Sequence, residues 1–281
     1  MKKELLALSV LTIMALPSMA EADRAWSINT FAVNQVHSSS SNTIVCVPWT
    51  GYATNDPPSL AVNKLVNSVG LSVGDQMLVY RDNDSYYAWE LAEEGGKPVW
   101  DPMQVVTRFQ PPTAGGMTNL QDRGTGVWIV RKNANTCMYV HGQYATNATS
   151  VTIAGGSREA PSCGMLASPD PLVAVNVNEL ITPKTVSGTI STNDWLSIPA
   201  DSTGSRRLYW DASDEKWYCP REVTSTIIWR GKEKKVSETV YEKTGSWVTV
   251  PAGLGFWYVR REAGDITINF PVPSFVDKGK Q

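Results

Sequence analysis

The chain has 281 residues and a formal net charge of -2 at pH 7, and 19% of its residues are charged. This balance indicates neither a nucleic-acid-binding protein nor an anionic-membrane-binding protein. Eleven Trp and ten Tyr residues supply aromatic rings, which serve first as core material and then as stacking surfaces for sugar rings.

The first 22 residues have the pattern of a signal peptide. Met1-Lys2-Lys3 is positively charged, Leu5 to Leu16 is apolar, and small residues follow at Ser18-Met19-Ala20 and Ala20-Glu21-Ala22. The apolar stretch is shorter than the roughly 20 residues of a transmembrane helix, and no later stretch approaches that length. We therefore expect an exported protein without a transmembrane segment, located in the periplasm, on the cell surface or outside the cell.

One segment of the mature chain predicts a helix. Between Ser59 and Gly70, apolar residues recur at helical spacing, at Val62, Leu65, Val66 and Val69. This helical insertion near 59–70 is the one substantial helix that the sequence predicts.

Elsewhere, short runs rich in Val, Ile, Thr, Tyr and Trp predict β-strands, because Gly, Asn, Asp and Ser bound them. The clearest runs are Met77 to Tyr80, Val127 to Val130, Thr224 to Trp229, Trp247 to Val250 and Ile266 to Phe270. Two runs follow Gly-x-Gly, which indicates a tight turn or bulge, since the third glycine and the helix of a dinucleotide loop are missing. The predicted fold class is all-β.

Two patterns occur twice at the same separation, which indicates an internal repeat. Leu78-Val79-Tyr80-Arg81-Asp82 resembles Arg207-Leu208-Tyr209-Trp210-Asp211, and a Gly-x-Gly segment begins 42 positions after each Asp. These segments, Gly124 to Lys132 and Gly253 to Arg261, both contain Trp-x-Val-Arg. We expect two similar β-sandwich or barrel-like units, with the helical insertion in the first.

The expected organisation follows from the repeat and from composition. The signal peptide occupies 1–22, the first β unit 23–145 and the second 171–275, with a tail at 276–281. The segment 146–170 is rich in Ala, Gly, Ser, Thr and Pro, which predicts a linker.

The chain has four cysteines, Cys46, Cys137, Cys163 and Cys219, all in the mature part. An even number in an oxidising compartment favours two disulfides, and a pairing of Cys46 with Cys137 is our first choice because both fall in the first unit. Their spacing fits no zinc pattern, and we expect neither a metal nor a cofactor.

Carboxylates are the best candidates for catalysis. Only two His are present, and His-Glu-x-x-His, Gly-x-Ser-x-Gly and Walker motifs are absent. A duplicated β protein can bring the same carboxylate from each half face to face, where the pair shares one proton and activates a water. The duplicated acids are Asp82 and Asp211, with Asp84 and Asp214 as second choice.

These acids also fit other structures. Asp, Asn and Ser bond their own backbone in hairpin turns, and a calcium loop is a further alternative. Arg131 and Arg260, one strand after each Gly-x-Gly, can lie over the neighbouring tryptophans or pair with Asp82 and Asp211. Pairing would lower the pKa of each Asp and oppose a shared proton.

The strand ending in Asp, the following Trp and the Gly-x-Gly segment with Trp-x-Val-Arg resemble a group of exported proteins of mucin-degrading gut bacteria. One member, which the chain resembles over most of its length, is regarded as an aspartic-type endopeptidase. The resemblance implies a secreted acid endopeptidase that acts on mucin-like glycoproteins. The Asp-Thr/Ser-Gly signature of standard aspartic peptidases is absent, and the nearest strings, Asp201-Ser202-Thr203-Gly204 and Asp122-Arg123-Gly124, are not duplicated.

Two other functions fit the same sequence. The aromatic content and the two similar units fit a non-catalytic glycan-binding or adhesive surface protein, with Trp89, Trp217, Tyr86 and Tyr209 as candidate binding residues. A structural component of the cell envelope is the third hypothesis. For the peptidase and the binding protein alike, the expected partner is a mucin-like glycoprotein or glycan.

Overall fold

A computed structural model describes residues 31–38, 42–46, 49–50, 66–67, 71–80, 86–103, 109–110, 126–132, 136–144, 148–167, 173–200 and 204–270. Strands dominate these ranges, whose only helical segments are one α-helical turn, α1 (Val177–Leu180), and a 3-10 turn at Gly245–Val248. The predicted all-β class is confirmed. No helix within the described ranges is long and apolar enough to cross a membrane.

The described strands of the first half are β1 (Phe31–Ser38), β2 (Asn42–Cys46), β3 (Trp49–Thr50), β4 (Val66–Asn67), β5 (Gln76–Tyr80), β6 (Tyr86–Glu94), β7 (Lys97–Pro102), β8 (Phe109–Gln110), β9 (Gly126–Val130) and β10 (Thr136–Tyr144). One sheet has the order β2-β9-β5-β6-β7, with β8 parallel to β6. The other has the order β1-β10-β3, with β4 also paired to β10.

The described strands of the second half are β11 (Thr149–Ile153), β12 (Ser162–Ala167), β13 (Val175–Asn176), β14 (Val186–Ser187), β15 (Trp195–Ala200), β16 (Gly204–Asp211), β17 (Lys216–Trp229), β18 (Lys232–Glu242), β19 (Thr249–Val250), β20 (Gly255–Arg260) and β21 (Ile266–Phe270). The main sheet has the order β12-β20-β15-β16-β17-β18. A second sheet has the order β11-β21-β14, and β13 pairs with β19.

The two main sheets have the same order of strands around the Trp-x-Val-Arg strand. In the first half, β9 lies between β2 and β5, and Val130 pairs with Gln76. In the second half, β20 lies between β12 and β15, and Val259 pairs with Trp195. Strand β15 therefore occupies the place of β5, so the sequence match of Leu78–Tyr80 in β5 to Arg207–Tyr209 in β16 is displaced by one strand.

The core of the second half lies between its main sheet and the sheet β11-β21-β14. In β21, the apolar residues Ile266, Ile268 and Phe270 are buried and alternate with polar residues, because successive side chains of a strand point to opposite faces. They pack in one cluster with inward-facing residues of the main sheet such as Trp210 and Trp217. Burying each such side chain contributes about 1.5–3 kcal/mol.

Aromatic side chains join the two halves. Trp128 of β9 and Trp257 of β20 meet edge to face, with ring centroids 6.1 Å apart. Tyr80 packs edge to face against Trp257, and Tyr86 does so against Trp128, at 5.6 and 5.8 Å. The neighbours of these tryptophans along each strand, such as Val127 and Phe256, are fully buried on the opposite face. Each main sheet thus has one face in its own core and part of the other against its counterpart.

Three predicted segments differ from the structure or lie outside its described part. The helix near 59–70 lies outside it except for Val66–Asn67, which form β4 because they pair with Tyr139 and Val140. The predicted linker 146–170 contains the sheet strands β11 and β12, with residues 154–161 as the connection between them. In the run from Trp247 to Val250, only Thr249–Val250 is strand, and a 3-10 turn precedes it. The signal-peptide segment 1–22 and the tail 276–281 also lie outside the described residues.

Candidate functional site

Asp211 ends β16 at the hairpin turn to β17. Its Oδ1 accepts hydrogen bonds from the Ser213 backbone N–H and hydroxyl, at 3.0 and 2.6 Å. Its Oδ2 accepts a 2.7 Å hydrogen bond from the Lys243 ammonium, which also donates to Asp214. The hairpin-turn interpretation of this segment is confirmed, and its two acids lie on either side of one cation.

This arrangement fixes the charge of Asp211. The hydrogen bond from Lys243 first, and those from Ser213 next, hold the pKa of the Asp211 carboxyl well below its usual range. The same contact with Asp211, followed by that with Asp214, raises the pKa of Lys243. Asp211 is therefore a carboxylate at every pH where the protein is expected to work, and it accepts hydrogen bonds rather than donating a proton.

Sequence analysis pairs Asp211 with Asp82 and, as second choice, Asp214 with Asp84. Asp82 and Asp84 lie at 81–85, outside the described residues. Asp214 is described, and it shares the Lys243 cation with Asp211. Because the cation satisfies both carboxylates, these two acids have no need of a shared proton.

A row of aromatic side chains lies next to this ion pair. Trp195, Tyr209 and Tyr218 are paired side by side on β15, β16 and β17, and Tyr241 follows on β18. The Tyr209 and Tyr218 rings are 6.0 Å apart and tilted by 36°, and Tyr241 meets Tyr218 edge to face at 5.3 Å. We call these four residues the aromatic face.

The aromatic face points away from the core. Its members alternate along the strands with fully or nearly fully buried residues such as Leu196, Trp210 and Trp217, so they must project from the opposite side of the sheet. Tyr241 is 59% exposed, and the other three are half-buried. The Arg207 guanidinium lies 4.6 Å from the Trp195 ring centroid, at the edge of the row.

The ion pair and the aromatic face form one continuous site. Burial raises the pKa of the Tyr218 phenol, and the nearby Tyr241 hydroxyl and Asp211 carboxylate raise it further. The site therefore offers ring faces, a fixed carboxylate acceptor and a fixed ammonium donor on one rigid sheet surface. It can stack on a flat apolar surface and bond adjacent hydroxyl groups.

The four binding residues predicted from sequence have different locations. Tyr209 belongs to the aromatic face, and Tyr86 is half-buried at the contact between the two halves. Trp89 and Trp217 are corrected to core residues, because both are fully buried and present no ring to a ligand. The Trp217 indole N–H donates to the Ile181 carbonyl at 2.9 Å, which anchors the ring inside the core. Sequence analysis missed Trp195, Tyr218 and Tyr241.

The most buried charges of the second half are structural. Asp194 is fully buried, and its Oδ2 accepts hydrogen bonds from Arg260 Nη1 at 2.6 Å and from the Tyr258 hydroxyl at 2.9 Å. Its two oxygens also accept from the backbone N–H groups of Ser191 and Arg261. The suggested pairing of Arg260 with Asp211 is thus wrong, since Arg260 binds Asp194.

Asp75 holds the corresponding place in the first half. Its carboxylate accepts 2.8 Å hydrogen bonds from the backbone N–H groups of Ser72 and Lys132. Ser72 and Lys132 stand in the same relation to Asp75 as Ser191 and Arg261 do to Asp194. The signal that sequence analysis overlooked is a Ser-x-x-Asp turn directly before the strand that pairs with Trp-x-Val-Arg.

The structure shows no disulfide between Cys163 and Cys219, the two cysteines whose side chains it describes. Cys219 is buried on β17 as a thiol, with its sulfur 3.9 Å from the Pro220 carbonyl oxygen, and burial raises its pKa. Cys163 lies in β12 and is not bonded to Cys219. The side chains of Cys46 and Cys137, the predicted pair, lie outside the described part of the chain.

Comparison with known proteins gives no family. No protein-family model matches the chain, no curated protein matches it, and no solved structure matches it. Conclusions about function therefore depend on the geometry of the chain itself.

Proposed function

We propose that this protein is an exported, non-catalytic glycan-binding protein, and that its site is the aromatic face with the adjoining Asp211–Lys243 pair. The observation that carries the proposal is the arrangement of Tyr209 and Tyr218, two outward rings tilted by 36° to each other, beside a carboxylate and an ammonium that bind each other. A mucin-like glycan is the expected partner. The apolar C–H face of a pyranose matches a tyrosine ring, while its hydroxyls match Asp211 and Lys243.

A comparison of the two halves supports a binding role for these tyrosines. In the second half, the Tyr209–Tyr218 pair lies next to the core pair Trp210–Trp217. In the first half, the pair next to Leu91–Trp100 is Glu90–Asp101, and both of these acids are exposed. The scaffold therefore tolerates charged residues at this rung, so folding alone does not require two tyrosines there.

The rigidity of the site favours binding to sugars. Its residues other than Lys243 lie on β-strands, and Lys243 and Asp211 are already held by each other before a ligand arrives. Little side-chain entropy is lost on binding, which offsets the small area that an open, flat site can bury. We expect weak binding of a single sugar and stronger binding of glycans dense enough to engage several protein molecules.

We also propose that the chain is an internal duplication of a β-sandwich or barrel-like unit. The shared strand order around β9 and β20 supports this, as do the matching hydrogen bonds of Asp75 and Asp194. In this alignment Asp82 and Asp211 are not equivalent residues, which removes the symmetry argument for a catalytic pair. The aspartic-type peptidase stays a prediction from resemblance, and the ion-paired state of Asp211 argues against it.

The test is equilibrium binding of mucin O-glycans to the mature protein and to Tyr218→Thr, in which threonine retains the preference for strand. We expect the variant to weaken binding by about tenfold, since a stacked ring contributes on the order of 1–2 kcal/mol. Trp229→Thr is the matched control, because Trp229 is an exposed aromatic residue of the same sheet outside the aromatic face. Equal losses in both variants, or none in either, would remove the aromatic face as the site.

A further inference from the structure

Strands β17 and β18 extend beyond the sheet as a two-stranded ribbon. Strand β16 pairs with β17 only as far as Tyr218, whereas β17 and β18 pair with each other from Cys219–Glu242 out to Trp229–Lys232. From Arg221 to Trp229, the ribbon reaches roughly 27 Å at about 3.4 Å per residue. Every side chain of this part is exposed or half-buried, so the far end of the ribbon stands clear of the body.

The end of the ribbon combines exposed apolar residues with positive charge. Ile227, Ile228 and Trp229 are 41%, 78% and 61% exposed. Because neighbouring residues of a strand point to opposite faces, Ile228 projects on one side of the ribbon and Ile227 and Trp229 on the other. Around them lie four cations and one acid: Arg230, Lys232, Lys234, Lys235 and Glu233. We call residues 227–235 the tip.

The turn at the tip places a cation at the outermost point despite a backbone cost. Arg230 and Gly231 form a two-residue turn with φ of 51° and 76°. Both values are in the left-handed region, which suits Gly, Asn or Asp in such a hairpin. Gly231 meets this requirement, but Arg230 does so only with strain, so the turn chemistry does not explain an arginine there.

We propose that the tip is a docking site for an anionic lipid bilayer surface. The ribbon has apolar side chains on both sides. An apolar medium can surround both sides, whereas one flat protein partner would cover one side and leave Ile228 or Trp229 in water. Indole rings favour the boundary between headgroups and acyl chains, and the surrounding Lys and Arg side chains reach the headgroup phosphates. The whole-chain charge of -2 conceals this local excess of three positive charges.

A second copy of the chain is the competing occupant. The half-buried Val223, Val236 and Val240 lie on the same side of the ribbon as Ile227 and Trp229, and two ribbons stacked on that side would cover them. Such stacking leaves Ile228, the most exposed of these apolar residues, on the outside. The bilayer accounts for all three tip residues and is the occupant we adopt.

The experiment is flotation of the full mature chain with vesicles of phosphatidylcholine alone and with about 30% phosphatidylglycerol. We expect binding to the anionic vesicles that about 0.5 M salt reduces at least tenfold. Partitioning of the protein onto anionic vesicles should fall at least tenfold in the double variant Ile228→Thr/Trp229→Thr. It should fall at least tenfold also in the triple variant Lys232→Gln/Lys234→Gln/Lys235→Gln. Val73→Thr/Val173→Thr is the control, since it removes exposed apolar area elsewhere and should bind as wild type.

Absence of wild-type binding to anionic vesicles would overturn the proposal, as would equal binding by wild type and the Ile228/Trp229 variant. A dimer that the Ile228/Trp229 variant disrupts, in a protein that ignores vesicles, would assign the tip to self-association instead. The glycan test does not depend on these results, because the tip and the aromatic face share no residue.

Discussion

The indole rings of Trp128 and Trp257 meet at 88°, 6.1 Å apart, where the main sheets of the two halves contact each other. Each ring comes from the same place in a Gly-x-Gly-x-Trp segment. The outward tryptophan of the Trp-x-Val-Arg strand therefore packs, in each half, against the equivalent tryptophan of the other half. The tryptophans repeated in the sequence thus join the halves and do not contact a ligand.

This contact predicts energetic coupling between the two rings. Trp128→Leu and Trp257→Leu should each lower the free energy of unfolding by about 2 kcal/mol, because both rings are half-buried. The double variant should cost about 1 kcal/mol less than the two single costs together, since each single change already breaks the ring contact. Urea denaturation measures all three variants, and Trp229→Thr on the exposed tip serves as the control. Strictly additive costs would show that the rings do not interact.

The buried pair Asp194–Arg260 predicts a strong dependence of folding on one carboxylate. Asp194→Ala leaves the buried guanidinium of Arg260 without its counter-charge and should destabilise the protein by about 3–5 kcal/mol. Asp265→Ala is the matched control, because the exposed Asp265 accepts a hydrogen bond from the Gly155 backbone N–H. It should cost about 1 kcal/mol. Chemical denaturation that finds the two variants equally stable would contradict a structural role for Asp194.

The Asp211–Lys243 pair predicts a particular pH dependence of stability. A carboxyl whose pKa is lower when folded stabilises the protein above its unfolded pKa of about 3.8–3.9, and this contribution is lost as the pH falls through the folded pKa. The stability difference between wild type and Asp211→Asn should therefore be constant near neutral pH and shrink in strong acid.

Lys243→Met is the control for that measurement, because it removes the cation that lowers the pKa of Asp211. In the Lys243→Met background, Asp211→Asn should have a smaller but not zero effect at neutral pH, because the Ser213 hydrogen bonds to Asp211 remain. The effect is measured as the midpoint of urea denaturation. If wild type instead gains free energy of unfolding relative to Asp211→Asn as the pH falls, the pKa of Asp211 is raised in the folded protein, as a shared-proton pair requires.

Much of the fold could be predicted from local pattern. Ile266 to Phe270 alternates apolar and polar residues, and it is a strand with those limits. The pattern failed where tertiary pairing decides the outcome. Ser162 to Ala167 looks like linker by composition, but it is the edge strand beside β20. Val66 is one of four apolar residues at helical spacing between Ser59 and Gly70, and yet Val66–Asn67 pairs with β10.

The candidate site was less predictable, because aromatic residues look alike in a sequence. Trp217 and Tyr218 are neighbours, and only the direction of the strand places the first in the core and the second on the surface. A shift of one residue reverses that assignment. Lys243 lies 32 positions from Asp211, so no local pattern connects the two charges.

The measurement that tests the central claim most directly is a time course of a mucin glycopeptide incubated with the immobilised mature protein. The pH is about 5, because a shared-proton carboxylate pair can work there. The retained and released glycopeptide are then weighed by intact mass spectrometry. Binding through the aromatic face without catalysis predicts intact glycopeptide, retained by wild type and released by Tyr218→Thr. Discrete fragments from wild type that are absent with Asp211→Asn would contradict it and establish a peptidase.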